Sequence, residues 1–407
     1  MDDTDEILEA ELAEPLSSEI DDERASRRPS KDEEIEAQFG EQPFRAVYQT
    51  NNFFLPQIKD LIVDGDVLNI RPEYQRRLRW SDTQKSLLIE SLLLNVPIPP
   101  LFFFESDLAR YEVMDGQQRL NAIKEFLSGD FSLRGLTVLS ALNGRRYTKL
   151  PPRIKRSLDR ASVQAIVVLQ ESQTSLKKAG SHRFYELRRF VFERLNTGGR
   201  RLNAQEIRNA VYGSLFNNLV IELARGNTFT RIWGIPSFQA ADPNEYYEDP
   251  ERQKNSLYRT MGDCQIVLRF FALRDPKHIQ GSIRRILDNC MERNLDLDTE
   301  QCAALGAAFN ERLEFLDVLF DGAPFEAVLY GRKRPLVSIF DSMMVAVDRL
   351  WARKDELTAK KRKILKAYDV LLAKEGSTGR LTGSANTAQD IKDRIDLFEH
   401  MFIGELD

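Results

Sequence analysis

Two short apolar runs followed directly by a helical pattern constrain this chain more than any other sequence feature. LFFFE at 101–105 and YEVMD at 111–115 are separated by a five-residue polar loop, which is typical of a β-hairpin. The residues after Gly116 place Leu120, Ile123 and Phe126 on one helical face, up to a stop at Gly129. Strand, strand and amphipathic helix in succession predict an α+β domain.

The flanking sequence extends this domain on both sides. Ser81 and Gln84 form a capping-box pattern at the start of a predicted helix over 81–95, which PIPP at 97–100 ends because proline lacks the amide donor. A strand is predicted at 163–169 and a helix over 181–195, and Asn203 with Glu206 resembles a capped helix start. The α+β domain is therefore expected over 44–225.

The C-terminal part of the chain has a different pattern. Beyond about residue 256, nearly every segment carries apolar residues at helical spacing. We therefore predict a linker over 226–255 and an all-helical domain over 256–407.

The N-terminal segment is strongly acidic. Residues 1–40 contain fifteen Asp and Glu against four Lys and Arg, whereas the remaining residues carry a net charge of +6. Such a composition buries too little apolar surface to offset chain ordering, so 1–43 is expected to be disordered. It is interpreted as a solubilising leader or, alternatively, as a cover for a basic nucleic-acid surface.

Composition excludes several classes of protein. No stretch approaches the roughly 18 apolar residues of a membrane span, and the acidic start is unlike a targeting peptide. The three cysteines form no CxxC pair and the three histidines are far apart, which argues against a zinc ribbon or a disulfide framework. We expect a reduced, cytoplasmic protein without membrane partners.

The main candidate site is the sequence DGQQR, from Asp115 to Arg119, where a strand ends and a helix begins. The amide groups and dipole of a helix N-terminus favour anions, and Gly116 permits close approach. Arg119 could grip phosphate oxygens, Gln118 could orient a water, and Asp115 could hold a divalent metal ion. Alternatively, Asp115 caps the helix and Arg119 pairs with a neighbouring carboxylate.

Two further polar clusters could contribute to this site. Tyr74, Gln75 and Arg76 precede the helix predicted at 81, and offer an aromatic face with two directional side chains. The Asn196–Gly199 sequence NTGG joins two predicted helices, and its glycines either let amides approach a ligand or simply form the turn. There is no Walker loop, HExxH or GxSxG motif.

Four ordered blocks give the chain a family resemblance. RPEYQRRLRW, SLLIESLLLNVPIPPLFFF, YEVMDGQQRLNAIKEFL and FVFERLNTGGRRLNAQEIRNAVY resemble the N-terminal domain of GmrSD-type restriction endonucleases, over about residues 50–225. The resemblance implies a ParB/sulfiredoxin-like fold in which DGQQR takes part in nucleotide binding and hydrolysis. The histidine-rich HNH nuclease half of such proteins has no counterpart in this sequence, so a standalone version is expected.

By position, the resemblance implies particular roles for the candidate residues. Asp115, Gln118 and Arg119 would be catalytic, with a tentative metal at Asp115. The nucleotide-binding residues would be Tyr74, Gln75, Arg76, Gly116, Gln117, Asn196, Thr197 and Gly198. The chain departs from the family after Arg76, where Arg77, Leu78 and Arg79 precede Trp80.

These observations lead to one functional expectation with two alternatives. We expect a weak NTPase that uses an NTP with Mg²⁺, contacts DNA and acts in bacterial defence, alone or with a nuclease or other defence-system partner. The alternatives are a non-catalytic DNA-binding or regulatory module, and a ParB-like DNA nickase.

Overall fold

A computed structural model of the chain describes residues 12–14, 36, 47–63, 67–70, 80–169, 187–192, 194, 202–237, 249–329, 332–375, 381 and 387–405. These residues belong to two compact units, one over 18–202 and the other comprising 1–17 with 203–407. No described helix is long and apolar enough to cross a membrane.

The described residues of the first unit form a five-stranded mixed sheet and several helices. Its elements in chain order are β1 (Tyr48–Phe54), α1 (Leu55–Val63), β2 (Leu68–Asn69), α2 (Asp82–Leu93), β3 (Leu101–Asp107), β4 (Arg110–Asp115), α3 (Gln117–Ser128), α4 (Pro152–Asp159) and β5 (Ser162–Val168). The strands lie in the order β1-β5-β3-β4-β2. β3 and β4 form the predicted antiparallel hairpin, β5 runs parallel to β3, and β2 runs parallel to β4.

Both faces of the sheet are covered. Successive side chains of a strand point to opposite faces, and the central strands have buried residues on each face. Phe103 and Val113 belong to a core shared with apolar residues of α1, α2, α3 and α4. On the opposite face, Phe104 and Glu112 contact Arg188 in the helical segment 187–192. A sheet with helices packed against it confirms the α+β class of this part of the chain.

Local sequence signals set most helix boundaries. The Ser81 hydroxyl accepts a hydrogen bond from the Gln84 backbone amide, and the Gln84 side-chain oxygen accepts one from the Ser81 backbone amide, so the predicted capping box is present at α2. α3 ends at Gly129, whose φ of 84° is the left-handed conformation that glycine adopts easily. Asn203 and Glu206 form a second capping box at the next helix.

The second unit is predominantly helical. Its helices are α5 (Ala204–Val211), α6 (Leu215–Leu223), α7 (Asn227–Ile232), α8 (Pro250–Lys254), α9 (Ser256–Arg259), α10 (Gly262–Leu273), α11 (Ile283–Arg293), α12 (Thr299–Leu319), α13 (Val337–Arg349), α14 (Lys354–Ala359), α15 (Lys361–Glu375) and α16 (Ala388–Gly404). Trp233 packs against Phe325 and Phe340, and Phe309 packs against Phe270 and Phe340. The predicted helical part of the chain is confirmed.

An ion pair lies inside this helical core. Arg269 on α10 donates from Nε to Asp341 on α13 at 2.8 Å, and the two side chains are 2% and 1% exposed. Neither charge can be solvated, so each depends on the other.

The structure differs from the sequence-based organisation in three places. The division between the units falls at 202/203 rather than at 225, and α7 with the buried Trp233 lies inside the segment predicted to be a linker. A short antiparallel hairpin, β6 (Glu326–Leu329) with β7 (Arg332–Pro335), interrupts the predicted all-helical domain. Its four-residue strands are too short to show a distinct alternation.

The third difference concerns the acidic segment 1–43, which was expected to be disordered. Among its described residues, Leu12 is helical and the Glu14 side chain is only 2% exposed. Composition predicts disorder when no partner exists, but Glu14 has a specific partner in Arg208. The prediction therefore fails at Leu12–Glu14.

The buried pair yields a stability prediction. Arg269→Met should lower the free energy of unfolding by about 3–5 kcal/mol because Asp341 is left as an unpaired buried charge. Adding Asp341→Leu should recover most of that loss, since both charges are then removed. Urea unfolding followed by far-UV circular dichroism measures both values, and a double variant as unstable as the single one would contradict the prediction.

Candidate functional site

The candidate site is a strand–glycine–helix junction. β4 ends at Asp115, Gly116 adopts φ 101° and ψ 9°, and α3 begins at Gln117. The left-handed conformation at Gly116 turns the chain sharply from the sheet into the helix. No side chain caps this helix start. Asp115 therefore does not act as the helix cap that one interpretation of the sequence assigned to it.

Glycine is required at position 116 for space as well as for conformation. A Cβ atom there would lie 2.3 Å from Leu101 Cδ2 and 3.2 Å from Arg119 Nη2. The junction therefore packs directly against the first residue of β3 and against the Arg119 guanidinium.

Arg119 connects three parts of the chain. Its Nη2 donates to Asp115 Oδ2 at 2.7 Å, while its Nη1 donates to the carbonyl oxygens of Pro99 and, at 3.2 Å, Pro100. The arginine thus links the end of β4 to the segment that enters β3. Pairing of Arg119 with a carboxylate, one of the alternatives from sequence, is observed.

The two partners of this ion pair differ in exposure. The Arg119 side chain is 11% exposed, whereas the Asp115 side chain is 54% exposed. Burial lowers the pKa of Arg119, and the charge and hydrogen bond of Asp115 only partly oppose that effect. The guanidinium remains protonated at neutral pH, but its interaction with Asp115 does not fully offset the cost of burying its charge.

The two glutamines have different positions. The Gln118 side-chain oxygen accepts a hydrogen bond from the Trp80 amide at 3.2 Å, and Gln117 is buried at 4% exposure. Gln118 thus holds the chain just before α2, in addition to any role toward a ligand. Sequence reasoning did not foresee this contact, because Trp80 is separated from Gln118 by 38 positions.

The remaining candidate residues lie outside the described part of the chain. These are Tyr74, Gln75, Arg76, Asn196, Thr197 and Gly198. The described neighbours give one relevant constraint. β2 runs parallel to β4 with Asn69 opposite Glu112, so its carboxyl end points toward the edge at which Asp115 lies.

A buried ion pair in the first unit was not identified from sequence. Arg188 Nη2 lies 2.6 Å from Glu112 Oε2, and the two side chains are 7% and 9% exposed. Glu112 precedes Asp115 by three residues on β4, so the pair holds the strand that leads into the junction. Nothing in the local pattern marks either residue, since a charged position within a strand ordinarily faces solvent.

The described residues contain no group of three or more histidines, cysteines or carboxylates that could hold a metal ion. A metal ion at the junction would therefore take at most two such ligands from these described residues.

Comparison with known protein families gives a match mostly in the first half of the chain. Residues 58–213 match the family model described as GmrSD restriction endonuclease, N-terminal domain. No curated protein matches the chain, and no solved structure does either. Over residues 58–213 the chain is therefore similar to the N-terminal domain of GmrSD restriction endonucleases.

The glycine junction provides a matched pair of variants. Gly144 also has positive φ, at 82°, but a Cβ atom there would meet nothing within 4 Å. Gly144→Ala should therefore lower the free energy of unfolding by only about 1–2 kcal/mol, which is the cost of a positive φ for alanine. Gly116→Ala should lower the free energy of unfolding by about 1–3 kcal/mol more than that, because the added methyl group overlaps Leu101.

Chemical unfolding of both variants measures the difference. Equal losses would contradict the close packing at Gly116.

Proposed function

We propose that this protein binds a nucleoside triphosphate at the Asp115–Arg119 junction and hydrolyses it slowly, as part of bacterial defence against foreign or modified DNA. One observation carries the proposal. A nearly buried, incompletely compensated arginine lies at an uncapped helix start, beside a half-exposed carboxylate. A phosphate group is the ligand that such a combination favours.

Binding would proceed by an exchange of partners. The Asp115 carboxylate reaches solvent and can move away from Arg119, whereas Arg119 is held by the carbonyl oxygens of Pro99 and Pro100. A phosphate oxygen would then replace Asp115 at Nη2. The carboxylate released from the pair would be available to position a water molecule or a cation, and Gln118 would orient the water.

The residues at the junction fit a magnesium ion that accompanies the nucleotide. Mg²⁺ in phosphate-transfer sites commonly takes one or two protein carboxylates together with phosphate oxygens and waters. Asp115 supplies one such carboxylate. The ion would neutralise charge on the phosphates.

The other nucleotide contacts follow from the family resemblance. Tyr74 and Gln75 are assigned to the base or sugar with Arg76 beside them, Gly116 and Gln117 to the phosphates, and Asn196, Thr197 and Gly198 to further contacts with the nucleotide. The orientation of β2 and the Trp80–Gln118 bond support the first assignment, because these described contacts flank residues 71–79 on both sides.

A basic cleft in the helical unit supports contact with DNA. Lys360, Lys361, Arg362 and Lys363 line a cleft of about 500 Å³ together with Asp321. Three of these cations occupy the first turn of α15, where the helix dipole disfavours positive charge, and no acidic residue is present in that turn. Positive side chains at a helix N-terminus are unfavourable for the helix itself. Their presence here therefore favours a surface that binds a polyanion such as DNA.

Two other functions remain as competing proposals. A non-catalytic regulatory module would bind the nucleotide without turnover, and a nickase would cut DNA. We place the protein in the cytoplasm, because its three cysteines are buried and form no disulfide. Four NTPs incubated with and without DNA, with phosphate release and plasmid nicking scored together, separate the three proposals.

The partner exchange predicts opposite effects for the two charged residues. Arg119→Ala should weaken nucleotide binding about tenfold, because a charge-assisted hydrogen bond to phosphate is lost. Asp115→Asn should leave binding equal or tighter, since it no longer competes for Arg119, but should abolish turnover. Nucleotide-dependent shifts of the thermal midpoint, together with phosphate release, measure these effects.

Lys124→Ala on the same helix is the control and should change neither measurement. A full midpoint shift in Arg119→Ala would exclude phosphate binding by this arginine.

The basic cleft makes a separate prediction about DNA. Arg362→Glu should weaken non-specific DNA binding and reduce its salt dependence, because a phosphate contact is lost. The same change should leave the thermal midpoint equal or higher, since it places an acidic residue at a helix start. Lys374→Glu, at the other end of α15, is the matched control in net charge. Equal loss of DNA affinity in both variants would indicate a general charge effect and contradict the cleft.

A further inference from the structure

The Glu14 carboxylate lies buried in the helical unit, where side chains of α5 and α10 bind it. Its Oε1 accepts hydrogen bonds from Arg208 Nη1 at 2.9 Å and from Gln265 Nε2 at 2.7 Å. Its Oε2 accepts a bond from Arg208 Nη2 at 2.6 Å. This is a bidentate arginine–carboxylate pair with a third donor, and its two side chains are 1% and 2% exposed.

Arg208 is oriented independently of Glu14. Its Nε donates to Asp288 Oδ1 at 2.7 Å, and weaker bonds at 3.3 Å reach Gln205 and the Arg284 carbonyl oxygen. These contacts from α5 and α11 leave the two terminal nitrogens directed at Glu14. The guanidinium fork therefore forms a preorganised receptor for a carboxylate.

The local charges also favour such an occupant. Asp288 lies 2.7 Å from Arg208 and 4.0 Å from Arg284, so Glu14 adds a second carboxylate beside two arginines. Burial acts to lower the pKa of Arg208, but the charges of Glu14 and Asp288 raise it overall, so the guanidinium stays protonated.

The receptor contacts the backbone and an apolar side chain of the segment as well. Gln265 Nε2 also donates to the Leu12 carbonyl oxygen at 3.1 Å. A Cβ atom on Gly262 would lie 2.8 Å from Leu12 Cδ1, so the missing side chain at position 262 leaves room for Leu12. Backbone, leucine and glutamate are all recognised, as expected for the binding of a peptide.

We infer that Leu12–Glu14 is a docking segment, and that Arg208, Gln265 and Gly262 form its binding site within the same chain. The ion pair joins positions 194 residues apart, which precede and follow the unit over 18–202 in the sequence. It therefore closes the chain into a loop that contains the whole sheet-bearing unit. Leu12–Glu14 acts as a clasp on the helical unit, a role that is independent of nucleotide binding.

Hydrogen exchange in the full-length protein tests the clasp without any ligand. Glu14→Gln should speed amide exchange around residues 12–14 by about tenfold or more, because the charge-assisted bonds to Arg208 are lost. Glu9→Gln, in the same acidic segment, should leave that exchange unchanged. Equal exchange in the wild type and Glu14→Gln would overturn the inference.

A donor–acceptor swap makes the test specific. Gln265→Glu should release the segment, because its carboxylate repels Glu14. Combining it with Glu14→Gln should restore protection, since the amide introduced at position 14 can donate to the carboxylate introduced at position 265, beside Arg208. Loss of protection in both single variants but not in the double variant supports the clasp, whereas equal loss in all three contradicts the proposed pairing.

The experiment also shows whether Leu12–Glu14 binds within its own chain or to a second copy of the protein. Protection that is independent of protein concentration supports binding within one chain. Protection that appears only as the concentration rises would show docking on a second copy and overturn the clasp. If Gln265→Glu does not fold by circular dichroism, the comparison of Glu14→Gln with Glu9→Gln decides the question alone.

Discussion

The Arg119 guanidinium is the interaction on which the candidate site depends. It joins the end of β4, through Asp115, to the carbonyl oxygens of Pro99 and Pro100, where the chain enters β3. Gly116 permits this arrangement because any side chain there would overlap Leu101 and approach the guanidinium itself. Sheet, hairpin and helix α3 therefore meet at one positively charged point. The contacts that order the junction hold the Arg119 guanidinium in place, which is compatible with the anion-binding role that we propose for it.

Buried arginines recur through the molecule and perform comparable tasks. Arg188 holds Glu112 on β4, Arg208 holds Glu14 and Asp288, and Arg269 holds Asp341. Each joins elements distant in sequence, and each needs a carboxylate because an unpaired buried charge is costly. Arg119 differs from the other three. Its carboxylate partner is half exposed and therefore replaceable, which is the physical reason to place ligand binding there.

Much of the local structure could be predicted because it depends on neighbouring residues. The hairpin at 101–115, the helix that follows it, and the caps at Ser81 and Asn203 all arise from short-range periodicity and hydrogen bonds. The division at 202/203 could not be predicted, since it depends on where Trp233 and its aromatic neighbours pack. The family-matched segment even extends past this division, to residue 213.

The sequence by itself determined the class of fold, the position of the glycine junction and the residue types available there, because these follow from patterns within a few residues. Only the tertiary structure decided which groups those residues contact. It paired Arg119 with Asp115 and two proline carbonyls, turned Gln118 toward Trp80, and buried Glu14 against Arg208. Composition predicted a disordered acidic segment, since charge counts average over all surroundings. Glu14 is ordered nevertheless, because it pairs with the oriented Arg208 guanidinium in a low-dielectric site. Only the folded chain brings these two residues together.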